Sequence, residues 1–349
     1  MSIRSIIRNL IPKSILVVHR KRFQKKIERK NQKQRFDLYN DYYQFDLQRN
    51  LLYSNYQYTN DTEEKLVTQI IIVYHTIEKG LTMGNTRLGF GEEKMERLLD
   101  LCITYLDKFN NKHNMFCEAI GVINNYNQLH LAANYKLNNQ LQEKINQVLN
   151  QVESSNYTAD QLNFTSETYF QHKNASFDLF SKSRHSLRDF KDNGTVELEI
   201  LEKAVELAQK APSTCNRQST RVHIINNKDL IEKTLNLQTG NRGFGDRSSK
   251  LIILTSDLQC WESPTLRHGP YFDGGIFTMN LLYALHFYKI GACALNWFAT
   301  IENDSQLRKF INLPDNEIIL VIIGCGEVKE QFKIAKSRRR DIKSIFKVH

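Results

Sequence analysis

The densest chemistry of the chain lies between Ser183 and Gln218. Ser183-Arg184-His185-Ser186-Leu187-Arg188-Asp189-Phe190 offers two guanidiniums, an imidazole and hydroxyls within one short segment. Arginine forks engage two phosphate oxygens at a time, so the cluster suits a phosphate monoester. Ala211-Pro212-Ser213-Thr214-Cys215-Asn216-Arg217-Gln218 sets small hydroxyl and amide side chains behind a proline. Such groups hydrogen-bond the edge of a flat heterocycle without blocking it. Bland readings compete with both. Arg184 and Arg188 suit surface ion pairs with Asp189 or Asp192, and Ser213 to Asn216 suits a simple turn after a helix.

Each cluster needs elements to hold it. Thr195 to Lys210 reads as a helix with Leu198, Leu201, Val205 and Ala208 inward, stopped by Pro212. Val222 to Ile225 and Leu251 to Leu254 read as strands. Asp273 to Tyr288 is a helix apolar on every face, so it belongs in a core or an oligomer interface. Ala292 to Trp297 is a short strand and Asp304 to Ile311 a helix. Ile318 to Ile323 is a continuous apolar strand, expected to be buried on both faces. Helices and strands alternating in this way give an α+β sandwich around one sheet.

The 349 residues are enough for one large domain or two ordinary ones. A hydrophobic content of 41% and a charged content of 25% are ordinary globular values. The net charge of +10 calls for an anionic partner. Six cysteines lie far apart with no CxxC pair, which argues against a zinc knuckle or disulfide framework and for free thiols in a reducing cytosol. No metal site is expected. No run of eighteen apolar residues is present.

Residues 1–35 carry twelve lysines and arginines against one acid, Glu28. Ile3, Ile6, Ile7, Leu10 and Ile11 recur there at helical spacing, and Ile15 to Val18 form a short apolar patch. A basic amphipathic arm of this kind suits an anionic membrane surface, and a solvated arm is the equal alternative. Nucleic acid is not expected, because no recognised fold accompanies the charge. Residues 36–171 read as helical and polar, with Leu66 to Ile77 packing and glycines 80, 84, 89 and 91 making a loop. His75, Glu78, Lys79 and Arg87 beside that loop form either a functional polar group or a helix cap with ordinary ion pairs. A surface helix and a linker near Ser154 to Ser166 follow, and the last domain spans 172–349.

Arg-x-Ser-x-Arg-x-Phe, a helix, then Ala-Pro-Ser-x-x-Asn-x-Gln resembles the opening of the FMN-dependent nitroreductase-like flavoproteins. The resemblance runs from Lys182 to the end. It implies a nitroreductase-like mixed sheet flanked by helices, preceded here by a mainly helical N-terminal region. It implies that Arg184, His185, Ser186, Arg188, Lys336 and Arg338 hold the FMN phosphate. Pro212, Ser213, Thr214, Asn216 and Gln218 would then meet the ribityl chain or ring edge, and Asn241 the pyrimidine. Leu295 and Asn296 would offer backbone amides on the flavin N5 side.

In the family these sets come from two subunits, so a homodimer is implied, with the helix from Asp273 at its interface. Reducing equivalents would pass from NADH or NADPH through flavin N5 to an unidentified acceptor, and no catalytic side chain is assigned. Trp297, Phe298 and Phe244 suit the walls of the acceptor site or the core. The chain departs from the family at Ser219, where proline is usual, and at Phe244, where a basic residue is common.

No GxGxxG follows a strand, so no separate dinucleotide domain is expected. The stretch His75-Thr76-Ile77-Glu78-Lys79-Gly80-Leu81 resembles the branch associated with bacterial surface-polysaccharide synthesis. It implies a sugar- or lipid-linked intermediate as acceptor in place of a nitro compound. The free thiols and the basic N-terminus fit a cytoplasmic location, peripheral at the inner face of the membrane. A non-catalytic flavin-binding or membrane-surface accessory protein is the alternative.

Overall fold

The computed structural model describes residues 13–55, 59–84, 86–109, 113–152 and 161–349, and the chain divides into two compact units. The first unit is residues 1–57 with 262–267. Its main element is α1, Lys13–Tyr53, 41 residues without a break. Arg267 grips α1, donating to the Asp46 carboxylate at 2.6 Å and lying 5.0 Å from the Tyr42 ring. The apolar positions expected for the basic arm between Ile3 and Ile11 lie outside the described residues. The helix runs straight through the boundary expected at residue 35.

The second unit opens with four helices: α2 (Glu63–Leu81), α3 (Glu92–Lys108), α4 (Asn114–Ala132) and α5 (Asn139–Asn150). Thr62 caps α2 by accepting the Lys65 N–H, and Glu63 and Glu64 complement the helix dipole. Leu66, Ile70, Leu98, Tyr105, Phe116 and Tyr126 interlock in a core of their own. The glycine loop between α2 and α3 is dictated by packing. A side chain on Gly80 would collide with the Phe90 ring, and Gly89 and Gly91 adopt φ of 70° and 63°.

Strand β1 (Leu162–Thr165) and the short helices α6 (Ser166–Tyr169) and α7 (Phe177–Ser183) lead to the sheet domain. Its elements then follow in order. They are α8 (Leu198–Ala208), β2 (Thr220–Ile225), α9 (Lys228–Leu237), β3 (Lys250–Asp257) and α10 (Gly269–Phe287). After them come β4 (Gly291–Asn296), α11 (Ile301–Ile311), β5 (Glu317–Gly326), β6 (Gln331–Ile334) and α12 (Ile342–Ile345). The main sheet has the order β2-β3-β5-β4.

Alternate side chains of β3 point to opposite faces, and each face has its own helical layer. Ile252 and Leu254 pack with Leu201 of α8 and Leu281 and Leu285 of α10. Leu251 and Ile253 pack with Ile231 of α9 and Leu307 of α11. The apolar strand β5 lies inside the sheet between β3 and β4, with Ile319, Ile322 and Ile323 buried, while Ile318, Leu320 and Val321, expected to be buried as well, are half-buried. The α+β class is as expected, while every described pairing of the main sheet is antiparallel where a mixed sheet was implied. The end of the expected linker is β1, which pairs antiparallel with β6 and sets Phe164 opposite Phe332.

Candidate functional site

Arg184 to Phe190 leaves the end of α7 and runs beside the edge strand β4. Leu187 donates its N–H to the Ala292 carbonyl at 3.0 Å, and Leu187 and Phe190 are fully buried. Asp189 is buried as well, and it has its own partners. Arg247 Nη1 lies 2.6 Å and Lys329 Nζ 2.8 Å from its carboxylate. Arg184 and Arg188 therefore do not pair with Asp189, and neither forms an ion pair among the described residues.

Arg184 Nε is buried without a hydrogen-bond partner among the described residues. His185 Nδ1 sits 2.9 Å from the Ser183 carbonyl, and burial holds its pKa below the ordinary histidine value. It is thereby turned toward its own backbone. The buried His286 shares a hydrogen bond with Ser183 Oγ at 3.0 Å, and burial followed by the Arg184 charge brings its pKa down to about 4.

The basic run after β6 is not a loose tail. Ser337 donates its N–H to Glu78 Oε1 at 2.7 Å, and the other oxygen of Glu78 lies 2.9 Å from His75 Nδ1. Arg338 reaches Glu118 at 3.4 Å, Arg340 reaches Glu64 at 2.8 Å, and the Arg339 carbonyl accepts from Asn114. Glu78 is only 1% exposed, so the helix that carries His75, Glu78 and Lys79 pins the turn that presents Lys336. Glu78 therefore bonds beyond its own helix. Burial pushes the Glu118 carboxyl up, against the pull of Arg338 and Lys336.

Lys79 is half-buried, and burial, then the Arg188 charge, lowers its pKa. Arg188 lies close enough to Lys79 for its charge to act there, and Arg184 stands four residues before Arg188, so two guanidiniums without an ion pair among the described residues share one short segment. The set fits a phosphate, because a buried guanidinium nitrogen without a partner costs free energy that an oxyanion removes. Arg338, expected in the same role, is turned toward Glu118.

The second motif follows α8. Asp273, at the other end of α10, accepts from the Thr214 N–H at 2.9 Å and from its hydroxyl at 2.8 Å. Cys215, Asn216 and Gln218 all take φ near the left-handed region, at 50°, 56° and 50°. Such a turn stores strain and persists only when held from outside, here by the buried Asp273. The Gln218 N–H donates to Ser213 Oγ at 3.0 Å, and its side-chain amide donates to Asn216 Oδ1 at 3.1 Å. Pro212, Ser213, Gln218 and Phe277 line a cleft of about 370 Å³. Ser219, in place of the usual proline, is buried and accepts a hydrogen bond from Ser256 at 2.9 Å.

Asn241 has a more local task than expected. Its amide donates to the Leu235 carbonyl at 2.8 Å and to Gln238 Oε1 at 3.0 Å, closing the turn after α9. Gln238 in turn donates to the Asn296 carbonyl at 3.0 Å. The fold therefore joins Asn241 and Asn296 through Gln238, a buried residue that no motif marks. Leu295 buries its side chain in the core, while β4 as an edge strand leaves its outer backbone groups outside the sheet ladder. Phe244 is a core residue, Trp297 donates to Asp304 at 3.0 Å, and Phe298 is 90% exposed.

The two motif clusters are not brought together within one chain. Ser183 is anchored by His286 near the C-terminus of α10 and Thr214 by Asp273 near its N-terminus. At 1.5 Å per residue those anchors are about 20 Å apart along the helix. Among the described residues no three His, Cys, Asp or Glu side chains gather to hold a metal, and no helix is long and apolar enough to cross a membrane.

Fold and site define an α+β domain that presents an unneutralised basic cluster beside an edge strand. Residues 181–271 match the family model described as the nitroreductase family, and the C-terminal half of this chain carries a nitroreductase domain. The chain is 23% identical over 153 residues to a protein of Archaeoglobus fulgidus provisionally named NADH dehydrogenase/NAD(P)H nitroreductase. That match covers 43% of this chain and 83% of the relative. Among solved structures it is similar to the nitroreductase family protein of Streptococcus pneumoniae TIGR4, with 19% identity and a TM-score of 0.44, covering 50% of this chain and all of that one. It is also similar to a provisionally named nitroreductase of Desulfovibrio desulfuricans in complex with FMN, with 19% identity and a TM-score of 0.41, over 49% and 94% of the two chains.

Proposed function

We propose that the protein is an FMN-dependent oxidoreductase that draws reducing equivalents from NADH or NADPH. The observation that carries this reading is the buried, unpartnered Nε of Arg184, flanked by Ser186 and Arg188 in a motif whose only acid is committed elsewhere. Arg184, Ser186, Arg188 and Lys336 would hold the phosphate. Bound FMN would supply the electron-transfer chemistry, and the protein would supply binding, orientation and electrostatics.

Ser213, Asn216 and Gln218 would meet the flavin from a second copy of the chain, since α10 holds them about 20 Å from the phosphate cluster within one copy. The outer face of α10 supports that dimer. Phe272, 65% exposed, Met279 and the open Gly275 form an apolar stripe at helical spacing. Glu78 would act as a positioning residue, fixing the Lys336 turn through Ser337.

The test is anaerobic addition of NADH or NADPH to the FMN-loaded protein, followed by visible absorption. Bleaching of the oxidised flavin spectrum by one or both is the expected result. Stable flavin binding without bleaching by either would sink the enzyme reading in favour of a non-catalytic flavin-binding protein.

A further inference from the structure

A cavity of about 870 Å³ opens where the glycine loop of the helical region meets residues 239–244. Its lining brings three cations together: Lys79 from α2, Arg87 from the loop and Arg242 from the turn after Asn241. Among the described residues no carboxylate lines it. None of the three cations forms an ion pair among the described residues. Thr76, Thr86 and Thr239 add hydroxyls, and Met83, Phe90 and Phe244 form an apolar wall.

The imbalance belongs to this cavity in particular. A neighbouring space of about 550 Å³ shares Met83 and Gly243, yet there Asp189 and Asp246 face Arg247 and Lys329. Like charges gathered without counter-charge repel, and a half-buried ammonium is costly to desolvate. Burial and the Arg188 charge do lower the Lys79 pKa. An oxyanion in the cavity would offset both costs.

The walls are also built in advance. Tyr126 donates its hydroxyl to the Phe90 carbonyl at 2.9 Å, and the Gly89 N–H donates to His130 Nε2 at 2.9 Å. Phe90 meets the Tyr126 ring edge-on at 5.3 Å and lies directly over Gly80. Two residues of α4 thereby fix the loop that carries Arg87. A pocket with a rigid apolar wall and a few convergent charges is the usual form of a small-molecule site.

We propose that this cavity binds an organic oxyanion, a phosphate or carboxylate on an apolar or aromatic body, as the ligand that exchanges electrons with the protein. The inference rests on the flavin reading above. Two sources share the chemistry: an anionic acceptor, or the phosphate end of the nicotinamide cofactor.

The experiment uses FMN-loaded full-length protein and the double variant Arg87→Gln/Arg242→Gln, neither position being assigned to the flavin. Calorimetric titration with 4-nitrobenzoate, its neutral methyl ester and adenosine 2′,5′-bisphosphate reads binding directly. Flavin content is measured in the same samples. The expected result is that at least one anion binds the unmodified protein about tenfold or more tightly than the ester. That preference disappears in the double variant at unchanged flavin content, and about tenfold corresponds to roughly 1.4 kcal/mol. Preference for the nitrobenzoate assigns the site to an acceptor, and preference for the bisphosphate assigns it to the cofactor. Flavin-loaded protein that binds neither anion, or a double variant that keeps the preference, overturns this inference alone. Protein that takes up no FMN overturns the flavin reading and this inference with it.

Discussion

Replacing Arg184 with alanine is expected to weaken FMN binding by at least about 100-fold, because each hydrogen bond to a charged group contributes roughly 1.5–3 kcal/mol and a guanidinium makes two. The same substitution should cost little stability in the protein without flavin. Arg184 Nε is buried without a partner there, so alanine removes a desolvation cost along with the charge. Lysine should restore only part of the affinity, since an ammonium is a point charge and lacks the planar fork. Quenching of flavin fluorescence measures the affinity, and thermal unfolding without FMN measures the stability. Near-unmodified affinity in Arg184→Ala would remove this residue from the phosphate site.

Asp189 tests the opposite combination. Its buried carboxylate neutralises Arg247 and Lys329, which come from 58 and 140 positions further along the chain. Alanine leaves both cations facing each other without their anion. Breaking a buried pair costs about 3–5 kcal/mol, and here about 3, because Arg247 and Lys329 keep some contact with water. At roughly 2–4 °C per kcal/mol for a domain of this size, the thermal midpoint should fall by about 6–12 °C. Asp192→Ala, three residues on and exposed, should stay within about 0.5 kcal/mol of the unmodified protein. Equal midpoints for the two variants would show that Asp189 holds nothing together.

Most strands and helices of the C-terminal half were legible because their apolar periods are strong and local, but α9 and β6 were not read from the sequence. Ile318 to Ile323 announces an interior strand, and Leu201, Val205 and Ala208 announce the inner face of α8, whereas Leu198, expected inward with them, is 50% exposed at the start of the helix. Strand β1 was not legible. Its four residues acquire strand character only from β6, whose partner residues lie about 170 positions away. The sign of the sheet pairings was hidden for the same reason, since β3 meets β5 across an intervening helix, strand and helix.

Within the site, the types and order of Arg184, Ser186, Arg188 and the Ser213–Gln218 turn were visible in the sequence. Their partners were not. Asp273 looks like an ordinary helix residue until Thr214 is seen to donate to it twice. Glu78 looks like an i,i+3 partner of His75 until Ser337, 259 positions later, donates to its second oxygen. Asn241 shows the converse. A residue type suited to a ligand amide is spent on closing its own turn, a competition that Asn side chains often win locally.

The most direct test of the account compares FMN with riboflavin, which differs only in lacking the phosphate. Flavin-free protein is titrated with each and binding is followed by fluorescence quenching. The account predicts saturation at one FMN per chain, with riboflavin at least about 100-fold weaker, as two or more lost charge-assisted hydrogen bonds require. Equal affinity for the two, or uptake of neither, would contradict the assignment of the Arg184–Arg188 cluster as a phosphate site.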